Sequence, residues 1–182
     1  LTDAALIGLV TGSDQLANLE QARLTAGDSD NTIDVSGFGG GTVLFGRGGN
    51  DLLIGGRGVD FVFAGAGNDI ARGNGGNDGL FGDAGNDVLD GGDGDDTARG
   101  AAGRDVLIGG AGEDELMGQG GSGDILIGGA GDDLLDGGSG IDRIVETADS
   151  DFVLTDRMLV GGPSIGTDRL VSVEQANLTG GA

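Results

Sequence analysis

Between Gly37 and Val145 one aliphatic residue returns at every ninth position, while its neighbours vary. The column reads Leu44, Leu53, Val62, Ala71, Leu80, Leu89, Ala98, Leu107, Leu116, Leu126, Leu135 and Ile144. Cut at this period, the segment gives twelve units beginning at 37, 46, 55, 64, 73, 82, 91, 100, 109, 118, 128 and 137, of which only the 118 unit has ten residues. Each unit is a six-residue glycine-rich stretch followed by a three-residue tip whose middle side chain, the eighth, is reliably apolar. Alternation at period two puts the eighth residue on one face and the seventh and ninth on the other. The pattern therefore predicts a bend and then a short strand. So short a strand cannot stand alone, and units must stack tip on tip in parallel with the eighth-place column inside. With two bends closing each coil, twelve units make six 18-residue coils, a body about 25 Å long at about 4.8 Å per strand.

The bends carry a second column. Gly holds the first place in all units but one, where Ala64 stands, and the fourth place in every unit; Gly lets a bend use positive φ without steric cost. The sixth place is Asp in eleven units: Asp51, Asp60, Asp69, Asp78, Asp87, Asp96, Asp105, Asp114, Asp124, Asp133 and Asp142, with Thr42 the departure. Stacking sorts them into two ladders. One holds Thr42, Asp60, Asp78, Asp96, Asp114 and Asp133, and the other Asp51, Asp69, Asp87, Asp105, Asp124 and Asp142. Unscreened carboxylates at strand spacing repel, so the coils cohere only with a counter-ion between successive bends.

Composition narrows the identity of that ion. Gly is 44 of 182 residues with a single Pro, and Cys, His, Trp, Tyr and Lys are absent. Without imidazole or thiolate, zinc and copper are excluded. A cage of Asp oxygens and bend carbonyls suits calcium, with its flexible six to eight ligands, better than magnesium, which keeps its water. The net charge of −22, from 26 Asp and five Glu against nine Arg, repels nucleic-acid phosphates and anionic lipid heads. Nucleic acid is thus excluded as a partner. Membrane insertion is excluded as well, because no run of about 18 apolar residues occurs. About nine calcium ions would bring a charge of about +18 against −22, so metal binding and folding are expected to be one event. Acidic residues outside the register, Asp83, Asp90, Asp93, Asp95, Asp132 and Asp136, read as solubilising.

The units match the pattern G-G-x-G-x-D-x-U-x, and residues 37–145 resemble the RTX (hemolysin-type) calcium-binding nonapeptide-repeat family. The resemblance implies an all-β fold, a right-handed parallel β-roll (β-solenoid) of about six 18-residue coils with irregular β connector or capping segments at both ends. It also implies calcium ions, about six to nine, each between bends two units apart and held by sixth-place Asp side chains and bend carbonyls. Carried onto this chain, the central pairs are Asp51 with Asp69, Asp69 with Asp87, Asp87 with Asp105, Asp60 with Asp78, Asp78 with Asp96, and Asp96 with Asp114. Asp105 with Asp124, Asp114 with Asp133, and Asp124 with Asp142 lie beside or across the ten-residue unit. A site between Thr42 and Asp60 is expected to be weak or empty.

The chain divides into three segments: a connector or cap with the first β coils over 1–36, the roll over 37–145, and a second connector over 146–182. The connectors are related, since Leu1 to Asp28 aligns with Leu154 to Ala182 with Ile165 as the only insertion. Either roll modules recur in an array and meet neighbouring copies, or two related caps close one roll. Asp14 could cap a helix running to Arg23, but Val171, Ser172 and Val173 in the second copy have strand character. The expectation is irregular β coils burying Leu24, Ile33, Val35, Leu154, Leu159 and Leu178, with a short helix as the alternative.

The outward seventh places Leu52, Ile70, Val88, Val106 and Ile125 are unusually apolar for contiguous solvent-facing positions. Either connector or a neighbouring module covers that sheet, or strand propensity alone selects the residues. Phe45, Phe63 and Phe81 fall one above another on the other sheet. Gly118, Gly120 and Gly123 spell G-x-G-x-x-G without the strand and helix a dinucleotide site needs. No raised-pKa carboxylate pair in a pocket is suggested, so catalysis within this chain is not expected.

The leading functional reading is an extracellular or cell-surface calcium-binding module, structural or adhesive, that becomes rigid on binding calcium within an array, fibre or surface layer. The resemblance implies export unfolded through a type I system of a secreted bacterial protein. The alternatives are the calcium-binding tail of a type I secreted protease, lipase or polysaccharide-modifying enzyme, and a ligand-binding roll such as an ice-binding one. The last lacks the regular outward ladder of Thr it would need.

Overall fold

The computed structural model describes residues 20–148, 153–155, 158–160 and 166–180, and no helix occurs among them. Successive strands alternate between two sheets. One sheet holds β1 (Gln21–Thr25), β3 (Gly41–Gly48), β5 (Asp60–Ala66), β7 (Gly79–Ala84), β9 (Thr97–Gly103), β11 (Glu115–Gly121) and β13 (Leu134–Asp136). The other holds β2 (Thr32–Asp34), β4 (Leu52–Ile54), β6 (Ile70–Gly75), β8 (Val88–Asp93), β10 (Val106–Ala111), β12 (Ile125–Ala130) and β14 (Arg143–Ala148). Neighbours in each sheet are parallel, and the register steps by one coil, as in Leu44 opposite Val62 and Leu89 opposite Leu107. This is an all-β solenoid, and β3 to β14 are its six coils.

The eighth-place column from Leu44 to Ile144 lies inside at 0% exposure. Parity carries more than that column inward. Places six and one share its face, so the sixth-place Asp residues, Ala64 and Glu146 are buried too. Strands are longer than a three-residue tip in most coils, because the backbone goes on pairing into the bend, as in Gly110 with Gly129.

The described connector residues extend the same two sheets. β1 and β2 stack on β3 and β4 before the roll. Beyond it, β17 (Thr167–Val171) pairs parallel with β13, and β18 (Gln175–Gly180) pairs parallel with β14. Between β14 and β17 along the chain, β15 (Val153–Thr155) and β16 (Met158–Val160) pair antiparallel, and β16 adds antiparallel to β17 at the sheet's edge. Leu159 is fully buried, and Leu24, Ile33, Val35 and Leu178 are partly buried against the core. The side chain of Leu154 lies outside the described residues, as does the start of the helix considered from Asp14. Its end does not, because Gln21 to Thr25 is strand β1.

The described connector segments join the sheets as strands and so do not lie across the outward column of Leu52, Ile70, Val88, Val106 and Ile125. Backbone pairing along the coil axis satisfies more groups than draping would. Ile70 is 38% exposed and its column neighbours are half-buried. On the opposite sheet Phe45, Phe63 and Phe81 stack with centroids 5.0 and 4.8 Å apart. The guanidinium groups of Arg23 and Arg99 close the ends of this stack, 4.7 Å from the Phe45 ring and 5.7 Å from the Phe81 ring.

Candidate metal centres

Each bend ends with a carboxylate turned into the roll. All eleven sixth-place Asp residues are at most 3% exposed. One oxygen of each forms a rung. The backbone N–H of Asp51 donates to Oδ1 of Asp69 at 2.7 Å, that of Asp60 to Asp78 at 2.7 Å and that of Asp69 to Asp87 at 2.8 Å. The same bond joins Asp78 to Asp96, Asp87 to Asp105 and Asp96 to Asp114. The ten-residue unit does not interrupt it: Asp105 reaches Asp124 at 2.8 Å, Asp114 reaches Asp133 at 2.9 Å and Asp124 reaches Asp142 at 3.0 Å. Arg104 Nε, donating to the Gly123 carbonyl, braces the longer bend.

The second oxygen is different. Oδ2 of Asp51, Asp69, Asp78, Asp87, Asp96, Asp105, Asp114, Asp124, Asp133 and Asp142 is buried without a hydrogen-bond donor. Such an atom is costly unless something electropositive meets it. Asp60 is the exception, since Thr42 N–H and Oγ1 donate to its Oδ1 and Gly56 N–H donates to its Oδ2. Its oxygens are therefore both engaged within the protein.

A first-place glycine lies beside each orphaned oxygen except that of Asp69, whose unit has Ala64 there. A β-carbon on Gly118 would come within 2.5 Å of both Asp124 Oδ2 and the Gly137 carbonyl, and one on Gly82 within 2.5 Å of Asp87 Oδ2 and 2.8 Å of the Gly100 carbonyl. The first-place Gly is thus needed for space beside the carboxylate. The fourth-place Gly is needed for its backbone, as at Gly85, where φ is 136°. No three acidic side chains among the described residues enclose an ion by themselves. The donor set is therefore carboxylate plus carbonyl, hard oxygens that fit calcium and hold nothing soft.

Burial dominates the electrostatics. It pushes Asp87 and Asp96 up to about 7 and Asp78, Asp114 and Asp124 up to about 6, with neighbouring carboxylates adding to the rise. Asp51, Asp69, Asp105 and Asp133 are also raised by burial. These groups resist ionising in the folded chain unless a cation compensates.

Matches to the RTX calcium-binding nonapeptide repeat cover residues 36–71, 58–89, 66–98, 90–123 and 120–144, more than half of the chain. The chain belongs to the RTX calcium-binding nonapeptide-repeat family. It is a calcium-binding RTX module, and its solenoid is the RTX β-roll. Comparison with curated proteins gives no match.

The RTX ladders extend past the twelve units. Asn31 takes the place before Asp51, its N–H donating to Asp51 Oδ1 at 2.7 Å. Asp168 takes the place after Asp133, and Glu174 the place after Asp142, accepting from the Asp142 N–H at 2.8 Å. Gly166, Asp168 and Leu170 repeat the fourth, sixth and eighth places, a signal present in the sequence but hidden by its distance from the run. Three residues outside the register also act in bends and do more than solubilise, one of them Asp136, whose Oδ1 accepts from Gly138 N–H at 3.0 Å. Asp95 Oδ1 accepts from Glu113 N–H and Asp132 Oδ1 from Thr167 N–H, because the fifth places stack as well.

Proposed function

We propose that this RTX module is an extracellular structural or adhesive element of a tandem array, rigid only when calcium occupies its bends. Asp51, Asp69, Asp78, Asp87, Asp96, Asp105, Asp114, Asp124, Asp133 and Asp142, with bend carbonyls, hold the ions, about six to nine in number, and Asp60 contributes weakly. The orphaned Oδ2 atoms support that ligand set. Outside the cell, where calcium is plentiful, binding drives folding; inside, eleven unscreened carboxylates keep the chain open for export.

The observation carrying the array is the pairing of the two connector copies. In the first copy Ala22 and Leu24 of β1 lie on β3, in the roll C-terminal to it. In the second, the aligned Ala176 and Leu178 of β18 lie on β14, in the roll N-terminal to it. One connector strand can therefore be bonded to a roll behind and a roll ahead, which a simple cap has no need to do.

The reading is tested in two steps. Circular dichroism during a calcium titration should show β structure forming with bound ion; a calcium-free chain at neutral pH already rich in β structure would overturn coupled folding. The coding sequence beyond residue 182 should continue with a segment like Asp30 to Phe38. A catalytic domain there would replace the array with the tail of a secreted enzyme.

A further inference from the structure

The sheet of β4 to β14 turns a row of aliphatic side chains outward, away from the calcium bends. Its seventh places are Leu52, Ile70, Val88, Val106 and Ile125, and its ninth places include Ile54, Ile108, Ile127 and Val145. The register stacks them, with Leu52 opposite Ile70, Val88 opposite Val106 and Ile108 opposite Ile127. Strand propensity alone does not select these residues, because it acts on both sheets alike. In the fourth and fifth coils the outward places of β9 and β11 are Thr97, Arg99, Glu115 and Met117, whereas those of β10 and β12 are Val106, Ile108, Ile125 and Ile127. What separates the two sheets is the pull to bury one of them.

Two charged residues interrupt the face, and their placement indicates what covers it. Arg72 on β6 and Asp90 on β8 are ninth-place neighbours in the register, bracketed by Ile54 on β4 and Ile108 on β10. Arg72 is exposed and Asp90 half-buried, and neither side chain has a hydrogen bond or ion pair among the described residues. A second copy, turned by half a rotation about an axis parallel to the strands and midway between β6 and β8, sets its Asp90 over Arg72 and its Arg72 over Asp90. The same operation sets Ile54 over Ile108 and Leu52 over Val106. Strand direction is kept, as aligned sheet-on-sheet packing requires. Four charges of alternating sign then meet at the centre of an apolar contact that is the same patch on both copies.

We propose that this face is a contact between two copies of the module, packed sheet on sheet across that two-fold axis with Arg72 of each copy paired to Asp90 of the other. It holds whether or not modules recur along one chain. A net charge of −22 drives copies apart, so they approach only where charge is locally complementary and calcium has neutralised the bends. The face spans six strands, four of them six residues long. At about 4.8 Å per strand and about 3.3 Å per residue it covers about 600 Å² on each copy, below the roughly 800 Å² per partner of a standard interface. Single modules therefore pair weakly and reversibly, with the aliphatic columns supplying affinity and the charges fixing register.

Sedimentation equilibrium of the whole chain with calcium should show monomer and dimer in exchange. R72D and D90R each set like charges face to face and should weaken dimerisation by about tenfold or more, while R72D/D90R together restores the alternation and should bring it back near the parent. V88T adds no charge and keeps a β-branched residue, yet should also weaken the dimer; F61S, on the opposite sheet, should leave it unchanged. A parent chain that stays monomeric up to about millimolar concentration would overturn the contact. So would charge reversals without effect, a double variant as weak as the single ones, or a dimer lost in F61S and kept in V88T. Circular dichroism with calcium identifies the variants that fold. If a charge variant does not, the contrast between V88T and F61S decides.

Discussion

At the scale of single residues, each bend asks two things of glycine for different reasons. The fourth place takes positive φ in every unit but those of Gly40 and Gly58, while the first, except at Ala64, leaves out a β-carbon. On Gly73 that atom would collide with Asp78 Oδ2 and approach the Gly91 carbonyl at 2.6 Å. Gly73→Ala should therefore lower calcium affinity and destabilise the folded chain by about 1–3 kcal/mol, as overpacking does. At Gly75 the nearest atom to an added β-carbon is the Asp93 carbonyl at 3.9 Å, and Gly75→Ala should change stability by less than about 0.5 kcal/mol. Calcium-titrated thermal unfolding of the two variants checks the contrast. The glycine column was visible in the sequence, but only the packed coil separates its two duties.

Among elements, the strands are held by columns. The inner column is continuous and aliphatic, and the outer one on the β1 sheet carries a stack of three rings between two guanidinium groups. Rings 4.8–5.0 Å apart and nearly parallel contribute beyond the area they bury. Phe63, with a ring on each side, is the centre of that stack. Phe63→Ala should destabilise the calcium-bound chain by about 1–2 kcal/mol, and Phe61→Ala, at a position 46% exposed and outside the stack, by less. Equal losses in chemical denaturation would show that the stack contributes nothing specific. The sequence placed the three Phe residues in one column. It did not show Arg23 as one of its ends, because Arg23 comes from a connector whose register no repeat dictates.

Over the whole molecule, two ladders of buried carboxylates link stability to pH and to metal. The unfolded carboxyls titrate near 4, and burial moves Asp87 and Asp96 to about 7 in the folded chain. Between about pH 4 and 7 the calcium-free folded state binds more protons than the unfolded state, so its stability falls as pH rises through that window. Without calcium, acidification from about pH 8 to 5 should thus increase β structure. With calcium the direction reverses, because binding needs ionised carboxylates and releases protons, so affinity should weaken as pH falls below about 6–7. Circular dichroism with and without chelator across this range reads both signs, and parallel curves would contradict the linkage.

By itself the sequence determined the period, the inward columns, the two acidic ladders and the class of ion they suit. All of these repeat within nine or eighteen residues, so local alternation and stacking are enough to fix them. Only the tertiary structure decided that Oδ1 of nearly every Asp is committed to a backbone rung while Oδ2 stays without a partner, and that Asp168 follows Asp133 in its ladder. It also decided that the two connector strands pair with opposite ends of the one roll. The connector outcomes depend on contacts across 32 or 35 residues and on an antiparallel reversal. No repeat encodes such distances; they arise from which edge of the roll still offers unpaired backbone.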